Sequence, residues 1–167
     1  MNNPKIYLRT QRVYKGKPYT FELLDVDSFK GLEPITQCYA FCYTSAGKLV
    51  IGKMPDGSIG FPGGTVEAGE EPLQTLRREL DEEVTVSIQK YTFLGAQRVT
   101  ELDTGKLYYQ LRFACLVDLH EMTPDPDYGE CWERILIEPS EFTDYFHWGS
   151  IGEYFLEKSL KWFLSRE

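Results

Sequence analysis

The chain has 167 residues, enough for one domain with a real core and short for two. A formal charge of −8 and a pI near 4.9 argue against a protein that grips nucleic acid through bulk electrostatics. No run approaches the roughly 20 apolar residues of a membrane span, and the start Met1-Asn2-Asn3-Pro4-Lys5 lacks the apolar core of a signal peptide, so a soluble, cytoplasmic protein is expected.

Residues 5–14 and 18–26, rich in Tyr, Val, Phe and Leu, read as two strands joined at Lys15-Gly16-Lys17. They form an added hairpin or a dimer arm, so a homodimer is among the expectations. A second hairpin is predicted over 36–43 and 48–53, turning through Thr44-Ser45-Ala46-Gly47. Asp56-Gly57 and Pro62-Gly63-Gly64 are turn chemistry. A helix should start at Pro72, a good first helical position, and run to Val84. A third hairpin spans 91–100 and 106–119 around Leu102-Asp103-Thr104-Gly105. Residues 124–129 are a loop by composition, 132–138 alternate as a strand, and Ser150-Ile151-Gly152-Glu153 reads as a capping box opening a final helix to Arg166. Strand pairs, one helix, more strands and a terminal helix predict an α/β (α+β) sandwich with helices on both sides of a mixed sheet. One domain is expected over 1–167, with 1–33 as an N-terminal extension and 34–167 as the core.

Cysteines 38, 42, 115 and 131 show none of the zinc spacings. Cys38 and Cys42 would share a strand face about 13 Å apart, too far for a disulfide. All four are expected to be reduced packing residues, and zinc is set aside.

The predicted helix carries the chemistry. Glu79, Glu82 and Glu83 lie at i, i+3 and i+4, within an arc about 100° wide. Leu73, Leu76, Leu80 and Val84 cluster on the adjacent side, so the leucines can anchor the helix while the carboxylates face a cleft. A charge run on a helix is usually a solvated face. Here, however, Glu is concentrated in the last two turns, where the macrodipole disfavours negative charge. Something cationic should compensate, and a hard divalent ion with oxygen ligands is the natural candidate.

With Gly64, Glu70, Arg78, Glu79, Leu80, Glu82, Glu83 and Val86 in register, residues 64–86 resemble the Nudix box, Gly-x5-Glu-x7-Arg-Glu-(aliphatic)-x-Glu-Glu-x-Gly-(aliphatic). Six fixed identities give a chance match on the order of 10⁻⁸ to 10⁻⁷ per window. Thr85 stands where the pattern has Gly, at the expected helix C-cap. A β-branched residue resists the left-handed backbone that Gly supplies there by about 1–2 kcal/mol, so the helix is expected to end differently.

The resemblance implies a Nudix-like fold and a hydrolase that uses Mg²⁺ or Mn²⁺ to cleave a nucleoside-diphosphate-type small molecule, with no nucleic acid or membrane partner. Glu79, Glu82 and Glu83 would hold the metal, with the Gly63 carbonyl as a further oxygen. Arg78 would bend back to fix a carboxylate, and Gly64 and Glu70 would be supporting residues. The base is either Glu79 or a loop carboxylate, for which Glu130 is favoured over Asp127 and Asp125. Lys53, Arg98 and Arg112, on predicted strands, are candidate phosphate contacts. The alternatives are a nucleotide-binding protein of the same fold without catalysis and an isoprenoid-diphosphate isomerase. Pro and Tyr markers of particular substrates are missing beyond the box, so the sequence does not name the substrate.

Overall fold

Alternation along the central strands sorts the core into two layers. In the computed structural model, which describes residues 5–166 and only the backbone at residue 25, strand β3 (Ile35–Tyr43) sends Cys38, Ala40 and Cys42 to one face. Phe41 and Tyr43 go to the other. This period-two sorting is what a strand covered on both sides requires. The start 1–4 and residue 167, which the predicted domain included, lie outside the described residues.

The remaining strands are β1 (Lys5–Tyr14), β2 (Lys17–Asp25), β4 (Leu49–Lys53), β5 (Ile59–Gly60), β6 (Gly63–Thr65), β7 (Val86–Glu101), β8 (Leu107–Leu119) and β9 (Glu133–Ile137). They join one sheet in the order β1-β2-β7-β8-β3-β4-β5, with β6 on β3 and β9 on β4. Only the β3–β8 pair is parallel among the described strands, so the sheet is mixed, as predicted. The predicted 5–14/18–26 hairpin forms and docks through β2 onto β7, Phe21 opposite Val99 and Leu23 opposite Gln97. It thereby lengthens the sheet itself.

Helix α1 (Pro72–Val84) covers one face. Leu76, Leu80 and Val84 are fully buried against Cys38, Val50 and Phe113, each stabilising the docking by about 1.5–3 kcal/mol. Pro72 occupies the first turn and the Glu71 N–H donates to Gln74 Oε1 at 2.8 Å, closing the N-terminus. Helix α3 (Gly149–Ser165) covers the other face through Ile151, Phe155 and Phe163.

Two expectations fail locally. The S-x-x-E run at Ser150 does not cap α3. The helix already includes Gly149 and Ser150, its N-cap is Trp148, and no side-chain cap bond forms. Trp148 is fixed by ring contacts with Phe61, Phe142 and Phe146, and that packing sets where the helix begins. A short 3₁₀ turn (Pro139–Glu141) and helix α2 (Phe142–Tyr145) also lie where no element was expected.

Thr85 corrects the expected helix end. It adopts the left-handed conformation after all, with φ 47° and ψ 64°. Its N–H donates to Asp81 O and Leu80 O, its Oγ1 accepts from the Thr123 N–H at 3.2 Å, and its carbonyl accepts from the His120 N–H at 3.1 Å and Arg134 Nη1 at 3.1 Å. Several bonds of about 1 kcal/mol each outweigh a conformational penalty of about 1–2 kcal/mol.

The four cysteines are free, and Cys38, Cys42 and Cys115 are buried packing residues as expected, whereas Cys131 is exposed. No helix among the described residues is long and apolar enough to cross a membrane.

Candidate active site

The leucine stripe that seats α1 turns its acidic side toward the strand β6 that precedes it. Arg78 occupies the middle. Its Nε donates to Glu70 Oε1 at 2.7 Å and its Nη2 to Glu70 Oε2 at 3.0 Å, a bidentate pair. Nη1 lies 3.0 Å from Glu79 Oε1 and 3.1 Å from Glu82 Oε2, and Nη2 donates to Thr65 O at 3.2 Å. Glu70 also accepts from Thr75 Oγ1 at 2.7 Å and from the Glu67 N–H at 3.1 Å. Arg78 and Thr75 hold its carboxyl well below the usual range, at about 2. Arg78 therefore bends back across the helix, and Glu70 braces it.

Glu83 behaves differently. Burial pushes its carboxyl up to about 8, with Glu79, Asp125 and Glu82 adding to the rise and the Gly63 N–H opposing it. That N–H donates to Glu83 Oε2 at 3.0 Å. Burial likewise raises Glu79. A Cβ at Gly64 would stand 2.5 Å from Glu79 Oε1 and 2.6 Å from Oε2, so the glycine is what lets this carboxylate lie against the β6 backbone.

The loop after β8 delivers one carboxylate toward this cluster, and it is Asp125. Asp125 is 4% exposed, contributes to the rise at Glu83, and accepts the Asp127 N–H at 2.8 Å. The favoured Glu130 is exposed; its carbonyl accepts the Asp125 N–H at 3.0 Å. Trp132 seats the end of this loop, its ring lying where a Cβ at Gly52 would be 2.6 Å away and one at Gly60 2.9 Å away.

Of the three candidate phosphate contacts, Lys53 pairs with Glu133 at 3.2 Å on the surface, and Arg98 pairs with the buried Glu22 at 2.7 Å. Neither is brought to the carboxylates. Arg112, on β8, instead enters a cavity of about 430 Å³ on the α3 side of the sheet. Gln37 and Tyr39 of β3, Gln97 of β7, and Tyr108 and Gln110 of β8 line it with Arg112, and Trp148 and Ile151 close it from the α3 side. Thr10, Arg12, Tyr14, Tyr19 and Phe21 of the N-terminal hairpin supply the remaining wall. Arg12 Nη1 donates to His147 O at 2.6 Å, tying the hairpin to the segment before α3. No composition signal in the sequence reveals this cavity, because its residues come from five separate segments.

Tyr39 joins the two sites. It pairs with Gly63 in register and with Arg112 on its other side. Burial raises its hydroxyl, Arg112 opposes the rise, and Glu83 and Glu79 add to it. The cavity and the carboxylates are thus separated by little more than one strand.

The match to known proteins follows this geometry. The NUDIX domain family model matches residues 39–163, from Tyr39 through most of α3. The chain belongs to the NUDIX family. Its fold is shared with an alanine mutant of a Bacillus subtilis pyrophosphohydrolase at a TM-score of 0.69 and 18% identity, covering 95% of this chain and 99% of that one. A NUDIX hydrolase from Nitrosomonas europaea aligns at 0.55 and 20% identity, over 77% and 90% of the two chains. The NUDIX domain of Shewanella oneidensis NrtR, complexed with ADP ribose, aligns at 0.57 and 14% identity over 82% and 93%. A U8 snoRNA-decapping enzyme from Homalodisca vitripennis is 49% identical over 37 residues, which span 22% of this chain and 20% of that relative.

NUDIX hydrolases generally use divalent metals, and the residues here can be tested for that fit. Among the described residues no three His, Cys, Asp or Glu side chains stand gathered as a metal-holding cluster; Arg78 Nη1 lies between Glu79 and Glu82 instead. The donor set is nevertheless all carboxylate, which suits a hard divalent ion. One guanidinium faces Glu67, Glu70, Glu79 and Glu82 within 4.0 Å, with Glu83 half-buried beside them, and that charge excess is what a second cation would balance. The residues fit.

Proposed function

We propose that this NUDIX protein is a divalent-metal-dependent hydrolase that cleaves a pyrophosphate bond in a nucleotide or nucleoside-diphosphate-linked compound. The observation that carries the reading is the crowding of Glu79, Glu82 and Glu83 on one side of α1, with Glu83 driven up to about 8 by burial and its acidic neighbours. Such a cluster is unfavourable by itself and becomes favourable beside Mg²⁺ or Mn²⁺.

Glu79, Glu82 and Glu83 would hold the metal, with the Gly63 carbonyl as a further oxygen. When bound, the metal supplies neutralisation of diphosphate oxygens and a lowered pKa for an attacking water. The remaining roles belong to the chain. Arg78, locked by Glu70, fixes the orientation of Glu79 and Glu82. Glu79 or the loop carboxylate accepts the proton of the attacking water; among the loop residues, the burial of Asp125 and its influence on Glu83 support Asp125 over the exposed Glu130. The cavity beside Tyr39 takes the nucleoside part. Its size falls within the range of about 300–1,000 Å³ typical of small-molecule sites. Names among the structural neighbours, such as the ADP compounds hydrolase and the ADP ribose complex, support a nucleotide-derived substrate.

A second reading, a nucleotide-binding protein without catalysis, is favoured by one observation: Arg78 already neutralises part of Glu79 and Glu82. A panel of nucleoside triphosphates, nucleoside-diphosphate sugars, ADP-ribose and dinucleoside polyphosphates with Mg²⁺ separates the two. Turnover of at least one compound is expected; turnover of none, with binding retained, selects the second reading.

A further inference from the structure

The cavity on the α3 side has a charge imbalance of its own. Arg112 is 5% exposed and, among the described residues, forms no ion pair. Its Nη1 donates to Leu111 O at 3.0 Å and its Nη2 to Gln110 Oε1 at 3.1 Å, while its Nε–H has no acceptor. The guanidinium carbon stands 5.0 Å from the Tyr39 ring centroid and 5.3 Å from that of Trp148. Burying a cation without an anion is costly, and two cation–π contacts offset only part of that cost. Burial lowers its pKa to about 10, which still leaves it charged at neutral pH.

The rest of the lining shows what would complete it. Among the described residues no Asp or Glu lines the cavity. Apart from Thr10, Arg12 and Ile151, its walls are aromatic faces and side-chain amides, with Gln97 Nε2 donating to Gln110 Oε1 at 2.5 Å so that Gln110 Oε1 is shared by two donors. The cavity is therefore rich in donors around Arg112 and flat elsewhere. It calls for a planar ring that stacks and presents acceptors toward the guanidinium.

Among nucleobases, a 6-oxopurine presents two neighbouring acceptors, O6 and N7, which match a guanidinium edge. Adenine turns its amino group to the same place and would set donor against donor. A phosphate on Arg112 would have Arg12 as the other cation of the lining, with no lysine there, and Arg12 is already tied to His147 O.

We propose that the cavity binds a 6-oxopurine base, guanine or hypoxanthine, with Arg112 as the residue that selects it. This deepens the reading of the chain as a nucleotide pyrophosphohydrolase and rests on it. The base then lies on the α3 side of β3, and the diphosphate reaches past Tyr39 toward the α1 carboxylates.

The test is equilibrium binding of GDP, IDP, ADP and UDP to the whole chain in EDTA, followed by tryptophan fluorescence or calorimetry. GDP and IDP should bind about 10-fold or more tighter than ADP and UDP, as expected for one well-placed guanidinium contact to a base. In Arg112→Met, which keeps the volume and removes the buried charge, GDP affinity should fall to the level of ADP. Equal affinities for GDP and ADP in the unaltered protein overturn the proposal, and so does an equal loss of both in Arg112→Met, which would place a phosphate on Arg112. The wild-type comparison decides even if the variant does not fold. The Mg²⁺ panel keeps the two readings apart: turnover without base preference leaves the hydrolase and removes the 6-oxopurine site. Selective GDP binding with no turnover of any compound does the reverse.

Discussion

Arg78 and Arg112 stand on opposite sides of one sheet and have opposite problems. Arg78 has four carboxylates within 4.0 Å; Arg112 has none among the described residues and is more deeply buried. On the α1 side there is too much negative charge for the cations present. On the α3 side there is a buried cation with too few acceptors. Each imbalance costs stability in the free protein, and on the function and base site proposed above each would be relieved by a different part of one ligand: a metal-bound diphosphate on one side, an acceptor-bearing ring on the other. Stability-optimised packing would leave neither.

The sharpest way to break this contrast is on the α1 side. Glu82→Gln should reduce Mg²⁺-dependent turnover about 100-fold or more, since even groups one layer behind a metal ligand typically contribute 10–100-fold. Unchanged turnover would remove Glu82 from the metal site and leave the carboxylate excess without a purpose. Gly64→Ala comes next. Its Cβ would meet Glu79 at 2.5 Å, so Glu79 must swing away, and a displacement of that kind should lower kcat about 10- to 100-fold while circular dichroism stays native. Activity within two-fold of wild type would mean that the Glu79 position is not critical.

A pH series sharpens the comparison without altering catalysis. Glu83 is raised from an ordinary 4.5 to about 8, so in the metal-free protein its folded form holds a proton that the unfolded chain has lost. Its contribution to stability is full below about pH 4.5 and is lost as pH rises through about 8. In EDTA the melting temperature of the wild type should therefore decline between those limits, and that of Glu83→Gln should decline less. Mg²⁺ should recover most of the loss at pH 8, because the ion favours the same charged form that burial disfavours. Parallel curves for the two proteins would show that Glu83 carries no such strain.

The smallest effect is expected at Thr85→Gly. Relief of the left-handed backbone favours the variant by about 1 kcal/mol, and loss of the Thr123 N–H bond to Oγ1 opposes it by a similar amount. The net change in stability by denaturant titration should stay within about 1 kcal/mol. A loss above 2 kcal/mol would mean that the hydroxyl, more than the backbone bonds, holds the helix end to the loop.

Legibility in the sequence followed the range of the interactions. Helix α1 was readable to its ends because Pro72, the leucine period and the spacing of Glu70, Arg78, Glu79, Glu82 and Glu83 are all local. The N-terminal hairpin and the 91–119 hairpin were readable for the same reason. Thr85 was misjudged because its backbone is held by His120, Thr123 and Arg134, none of them near in sequence. Ser150 was misjudged because aromatic packing around Trp148 overrode a capping pattern. Arg112 was singled out, but its burial between Tyr39 and Trp148 was not, since only the parallel β3–β8 pairing and the placement of α3 bring those rings to it. The burial of Asp125 was not legible for a similar reason: a loop's composition says nothing about which of its acids turns inward.

The N-terminal hairpin has a consequence for how such a protein can change. Thr10, Arg12, Tyr14, Tyr19 and Phe21 wall the cavity yet all precede residue 39, where the family match begins. The carboxylates are carried by α1, on the far side of the sheet and over fifty positions later in the chain. On the proposed function, part of the recognition wall is thus written on a stretch separate from the acidic helix, while Arg112 and the rest of the lining stay within the matched region. A substitution or a lengthened turn at Lys15-Gly16 can redraw what the cavity accepts while the acidic helix keeps its register, so new selectivities are open to this scaffold at little risk to the reaction.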